Sequence, residues 1–233
     1  MTGVPASAPA PVFRSRWLLE RRWDSSRPLP IRPIVARTKP PFPTTPFDFT
    51  AALRVLCEDV MARCPTFATL DPKRMLLTYA PCRNRSRFGV QARVTPMRFR
   101  AGALTRRMRG VLYGVQRYYV DGREMLYLVT FSLPRFLDQT FEDKLVTVFH
   151  ELYHISPAFD GDLRRLPGRY EVHSHSKHAY DQHMLTLVRA YLTDHPRPEV
   201  YEPFRFRTAE LLNRHGRITG VVVPRPKLVP LAW

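Results

Sequence analysis

Carboxylates are scarce in this chain: 20 Asp and Glu stand against 37 Lys and Arg in 233 residues, a formal net charge of +17. Most of the excess is arginine, which suits a polyanionic partner such as nucleic acid and equally suits a chain that is simply arginine-rich in composition, and charge alone does not decide between the two. Cysteine is scarcer still. Cys57, Cys64 and Cys82 are an odd number without CxxC spacing, which excludes a disulfide framework or a zinc ribbon and points to buried, reduced thiols. No apolar run approaches the roughly 18 residues that a membrane span needs, and the N-terminus lacks the apolar core of a secretory signal. No membrane partner and a cytoplasmic location are the expectation.

Proline, by contrast, is abundant at 23 residues and concentrates at the two ends. Residues 1–46 read as a Pro/Arg-rich extended or disordered arm, whose Trp17-Leu18-Leu19 and Trp23 are expected to dock as a short helix on the domain that follows. Residues 47–195 read as the folded domain. Residues 196–233 read as a C-terminal extension with a short helix at Ala209 to Asn213 and a strand at Thr219 to Val223.

Inside the domain, a helix follows Asp48 or Thr50 and ends near Pro65, with Leu53, Val55, Leu56, Val60 and Met61 as its apolar stripe. A strand is expected over Arg74 to Ala80. Val111 to Val120 and Met125 to Phe131 read as a hairpin turned by Asp121-Gly122. Between these strands runs the strongest charge block: Arg83, Arg85, Arg87, Arg93, Arg98, Arg100, Arg106, Arg107 and Arg109, with no carboxylate among them. Aromatics are sparse there, so contact with phosphates fits better than base stacking, and a solvated loop is the plain alternative.

Thr140-Phe141-Glu142-Asp143 has the form of a helix cap and predicts a helix through Ile155, buried along Leu145, Val148, Phe149 and Leu152. A second helix is expected from Ser176 to Thr193, with Met184, Leu187, Val188 and Tyr191 inward. The first of these carries His150-Glu151-Leu152-Tyr153-His154. One helical turn separates the two histidines, so both imidazoles project from the same face and can take two corners of a zinc tetrahedron. Glu151 sits about 100° around the helix, where it can take a proton from water as a general base without ligating. An open zinc site also needs a third protein ligand, and Glu171, His173, His175, His178, Asp181 and His183 cluster where one is needed.

The segment His150 to Tyr180 resembles the phage-type zinc metallopeptidases and, more distantly, the SprT-like zincins. In the former a histidine opens the second helix and an aromatic follows five positions on; His175 with Tyr180 has that spacing. The resemblance implies an α+β fold: a small zincin-like domain with a packing helix, a short antiparallel sheet, the HExxH metal helix and a following helix carrying the third ligand. It implies Zn2+ held by His150, His154 and His175, with His173, His178 and Glu171 as alternative third ligands, and Glu151 as catalytic base acting on a protein or peptide substrate. It further implies that the strand Met125 to Phe131 is the sheet edge to which the peptide adds. Asp160, Asp162 and Asp181 are candidate partners for the ligating imidazoles, and Tyr153, Tyr170 and Tyr180 candidate oxyanion donors. The rival from another class is a basic nucleic-acid-binding protein, using Arg83 to Arg109, in which the zinc is structural and no hydrolysis occurs.

Overall fold

The computed structural model describes residues 19–35, 45–82, 89–165 and 177–232. Their strands are β1 (Glu20–Trp23), β2 (Ile31–Val35), β3 (Phe47–Asp48), β4 (Met75–Pro81), β5 (Ala92–Pro96) and β6 (Thr105–Met108), then β7 (Val111–Val115), β8 (Arg117–Val120), β9 (Arg123–Met125), β10 (Tyr127–Leu133), β11 (Ile218–Val221) and β12 (Leu228–Ala232). The helices are α1 (Phe49–Arg63), α2 (Phe141–Tyr153), α3 (Lys177–Thr193), α4 (Pro198–Tyr201) and α5 (Thr208–His215). The fold is mixed α/β, with small three-stranded sheets that each contain an antiparallel pair.

The expected helix over residues 49–63 forms as α1, capped by the Asp48 carboxylate on the Ala51 N–H at 2.9 Å. Its buried face is Phe49, Leu53, Leu56, Cys57, Val60 and Met61. Val55 does not belong to it: at two residues from Leu53 it lies on the far side of the helix and is 48% exposed. The thiols of Cys57 and Cys64 are free and buried, as expected, and burial pushes Cys57 up to about 12.

The sheet beside α1 differs from the expectation in two respects. Its order is β4-β10-β5, and β10 runs parallel to β4 and antiparallel to β5, so it is mixed rather than antiparallel. The chain between β4 and β10 is long enough for a crossover, which parallel pairing requires. Secondly, the strand expected at the edge is the central one. Tyr127, Leu128 and Val129 are buried in succession, as a strand covered on both faces must be, and β5 forms the edge among the described residues. The turn at Asp121-Gly122 is present, with φ of 47° and 75° as a tight two-residue hairpin turn requires, and it joins β8 to β9. The longer strand expected over Val111 to Val120 is broken at Gln116, β7 pairing instead with β6 and β12.

Both flanks of the expected domain are built into it. Trp23 docks as predicted, but as the last residue of β1 paired with β8 and edge-on to Tyr118 at 5.1 Å, not in a helix. Trp17 and Leu18 lie outside the described residues. Phe204, Leu211 and Ile218 share one core with α1, α2 and α3.

Lys144 joins the C-terminal segment to α2. It is 0% exposed, and its Nζ donates to the carbonyls of Phe204 at 3.0 Å and Phe206 at 2.7 Å. Burial pulls its pKa down to about 8, with Asp138 opposing. Between that value and the ordinary 10.5 the unfolded chain holds a proton that the folded chain has released, so this group's contribution to stability rises as pH rises across the interval. Wild type is expected to gain about 3 kcal/mol relative to Lys144→Met between pH 8 and 10.5 in urea unfolding. A difference that stays constant with pH contradicts the assignment.

Candidate functional site

α2 opens on Thr140, whose side chain accepts from the Asp143 N–H at 3.2 Å, as the cap predicted. Leu145, Val148, Phe149 and Leu152 bury its inner face. The helix ends at Tyr153, two residues short of the predicted limit, with His154 as its C-cap. His154 keeps helical backbone angles (φ −67°, ψ −18°), so its ring stays on the face of His150. The two Nε2 atoms are 2.8 Å apart and the rings nearly perpendicular, at 85°. Two imidazoles on one tetrahedral zinc, each at 2.0–2.1 Å, have nitrogens roughly 3.3 Å apart. A shift of about half an ångström separates this pair from that geometry, so the two imidazoles fit two of the donor positions of a zinc ion.

The second helix supplies the packing behind this pair. Tyr180 is buried, with its ring edge-on to His150 at 4.9 Å and stacked against His154 at 6.2 Å and 23°. It thereby fixes both imidazoles. Tyr153 extends the cluster, edge-on to Tyr180 at 5.8 Å and to His183 at 5.3 Å, with the Arg164 guanidinium over its ring at 4.1 Å. Arg164 also closes the helix end, donating its Nε to the Tyr153 carbonyl and its N–H to the His154 carbonyl, both at 2.7 Å.

Glu151 is 6% exposed and faces β5. Burial pushes its carboxyl up to about 7, against the opposing pull of a hydrogen bond from the Val94 N–H and of the Arg93 charge. That N–H is available because of register. Met97 donates to the Leu126 carbonyl and Ser132 to the Gln91 carbonyl, and antiparallel alternation from those bonds turns the peptide groups of Ala92 and Val94 away from β10. The edge strand and α2 enclose a cleft of about 990 Å3 onto which His150, Glu151, His154, Leu163 and Gln182 open.

Among the described residues no group of three or more His, Cys, Asp or Glu is arranged to hold a metal. Glu171, His173, His175 and Tyr170 lie outside the described residues, as do Arg83, Arg85 and Arg87; the backbone of His178 and Asp181 is in α3, and their side chains are not described. The structure therefore brings together His150, Glu151, His154 and Tyr180. Asp162 is occupied elsewhere: its carboxylate accepts from the N–H groups of Ala101 (3.1 Å) and Leu163 (2.8 Å) and pairs with Arg165 at 3.0 Å, organising the loop after α2. Asp160 accepts from the Asp162 N–H at 3.1 Å in the same loop. Tyr127 pins this loop from below, its hydroxyl donating to the Asp162 carbonyl at 2.8 Å and accepting from the Gly161 N–H at 2.9 Å.

Val94 and Arg93 are the site residues that sequence reading missed. They lie in Ala-Arg-Val-Thr-Pro, inside the arginine block, and the strand alternation of Ala92 and Val94 with Arg93 and Thr95 was the signal for them. The rest of the block is divided. Arg98 is spent on a partly buried ion pair with Glu124 at 2.7 Å, which also pairs with Arg117, whereas Arg106, Arg107 and Arg109 stand on the exposed β6–β7 hairpin. No helix among the described residues is long and apolar enough to cross a membrane. Comparison of the chain with family models, with curated proteins and with solved structures returned no match.

Proposed function

We propose that this chain is a zinc-dependent metallopeptidase with a zincin-like site, in which His150 and His154 hold Zn2+ together with one further ligand, His175, and Glu151 is the general base. One observation carries the reading: two imidazole nitrogens converge to 2.8 Å beside a buried carboxyl shifted to about 7, on the wall of a cleft bordered by a strand edge. Zinc, when bound, supplies Lewis acidity toward a carbonyl and toward water.

The protein side of the chemistry follows from the residues. Glu151 Oε takes a proton from the attacking water and delivers it to the leaving amine, a task for which a pKa near the working pH is suited. The Val94 N–H anchors the carboxyl while it does so. The outward N–H and C=O of Ala92 and the outward C=O of Val94 give an extended substrate a strand to pair with, in place of the Met125 to Phe131 strand. Tyr180 holds the imidazoles in one orientation between turnovers.

The ligand assignment is tested by replacing His173, His175 and His178 singly with Ala and measuring zinc in the full-length protein. His175→Ala is expected to lose bound zinc and the other two to keep it. Loss confined to His173→Ala or His178→Ala moves the third ligand there, and retention in all three variants contradicts the histidine set.

A further inference from the structure

A second pocket lies away from the cleft, where β1, β2 and the chain leaving β11 meet. It holds about 290 Å3 and is lined by Arg21, Arg22, Arg27 and Arg32, with Trp23 and Pro224 among its walls and no carboxylate. Arg22 is committed, pairing with Glu20 at 2.6 Å and lying over Tyr119 at 4.1 Å. Arg21, Arg27 and Arg32 form no ion pair among the described residues, and Arg21 Nε is buried with no hydrogen-bond partner. Asp24, the nearest acid in sequence to Arg27, interacts with its charge without forming an ion pair and is held by its own turn, accepting from the N–H groups of Ser26 (2.9 Å) and Arg27 (3.0 Å) and from the Ser26 hydroxyl (2.6 Å).

The walls are fixed without help from a ligand. Val222 donates its N–H to the Pro30 carbonyl at 2.9 Å, and the Tyr118 hydroxyl donates to the Pro224 carbonyl at 2.7 Å. A preformed hollow that gathers guanidinium groups without an acid keeps like charges together and leaves a buried donor unsatisfied. An anion relieves both, and the planar fork of arginine matches phosphate oxygens in pairs. At about 290 Å3 the hollow has room for a phosphate group.

We propose that this pocket is a phosphate-binding site, taking either a free phosphate or one phosphate of a nucleic-acid backbone. This is independent of the zinc reading, because none of its residues borders the cleft. The test uses full-length wild type, Arg27→Gln/Arg32→Gln, and Arg106→Gln/Arg107→Gln as a control that removes the same charge from the exposed hairpin. Inorganic phosphate is titrated by calorimetry and a 12-nucleotide single strand by fluorescence anisotropy, both at constant ionic strength.

Phosphate binding that weakens tenfold or more in the pocket variant and not in the control supports a free-phosphate site. The same selective loss for the oligonucleotide, without measurable phosphate binding, supports a backbone-phosphate site. Equal weakening in both double variants, or no binding of either anion by wild type, overturns the proposal. Arg27 and Arg32 are exposed, and circular dichroism checks that their replacement leaves the fold intact.

Discussion

Glu151→Gln is expected to lower peptide hydrolysis roughly 10²–10⁴-fold while leaving fold and bound zinc in place. The amide has the shape of the carboxyl and its oxygen can still accept from the Val94 N–H, so the contact between α2 and β5 survives. What is lost is a proton acceptor beside the two imidazoles. The same substitution carries a second signature in metal-free protein. The folded carboxyl sits at about 7 and the ordinary value is 4.5, so the folded chain binds the proton more tightly; the stability this provides is present below 4.5 and is lost as pH rises through 7. Glu151→Gln should therefore stabilise the metal-free protein by up to about 3 kcal/mol at pH 8 and by almost nothing at pH 4.5. Full hydrolytic activity in the variant contradicts the base assignment, and a pH-independent stability difference contradicts the buried carboxyl.

Phe149→Ala is expected to cost about 3–5 kcal/mol, the largest single effect on stability in the site region. Phe149 is 0% exposed, with Phe67 at 5.6 Å and Tyr191 at 5.7 Å between ring centroids. It is thus the side chain through which α2 rests on both the segment after α1 and on α3. Tyr191 is itself tied to α1, donating its hydroxyl to Asp59 at 2.8 Å, and cannot move to fill the space. The cavity stays open and the transition in urea shifts accordingly. Because His150 is the next residue, zinc affinity should weaken alongside stability. A variant as stable as wild type shows that α2 is held by something other than this ring.

The parts of the molecule legible in the sequence are those set by local chemistry. Asp48 and Thr140 name their helix starts because an N-cap needs a short acceptor side chain. Asp121-Gly122 names its turn because both residues need positive φ. Leu145, Val148, Phe149 and Leu152 recur at helical spacing and mark the inner face of α2, which places His150 and His154 on the opposite side.

What escaped was set by long-range pairing. Nothing local to Tyr127–Leu133 states that β4 lies parallel on one side and β5 antiparallel on the other, although its uninterrupted apolar start is the mark of a central strand. β5 was hidden by Arg93 and by the arginines that surround it. Arg98 read as part of a phosphate surface and is instead the partner of Glu124, 26 positions on. Lys144 offered no hint at all: a lysine in an amphipathic helix ordinarily reaches solvent, and only the fold brings the Phe204 and Phe206 carbonyls to it.

Zinc binding by His150 and His154 is decided by elemental analysis of the purified chain, set beside His150→Ala/His154→Ala. About one zinc per chain is expected in wild type and none in the double variant, with the two indistinguishable by circular dichroism. A wild type that binds no zinc at micromolar supply, or a double variant that keeps its full complement, contradicts this assignment.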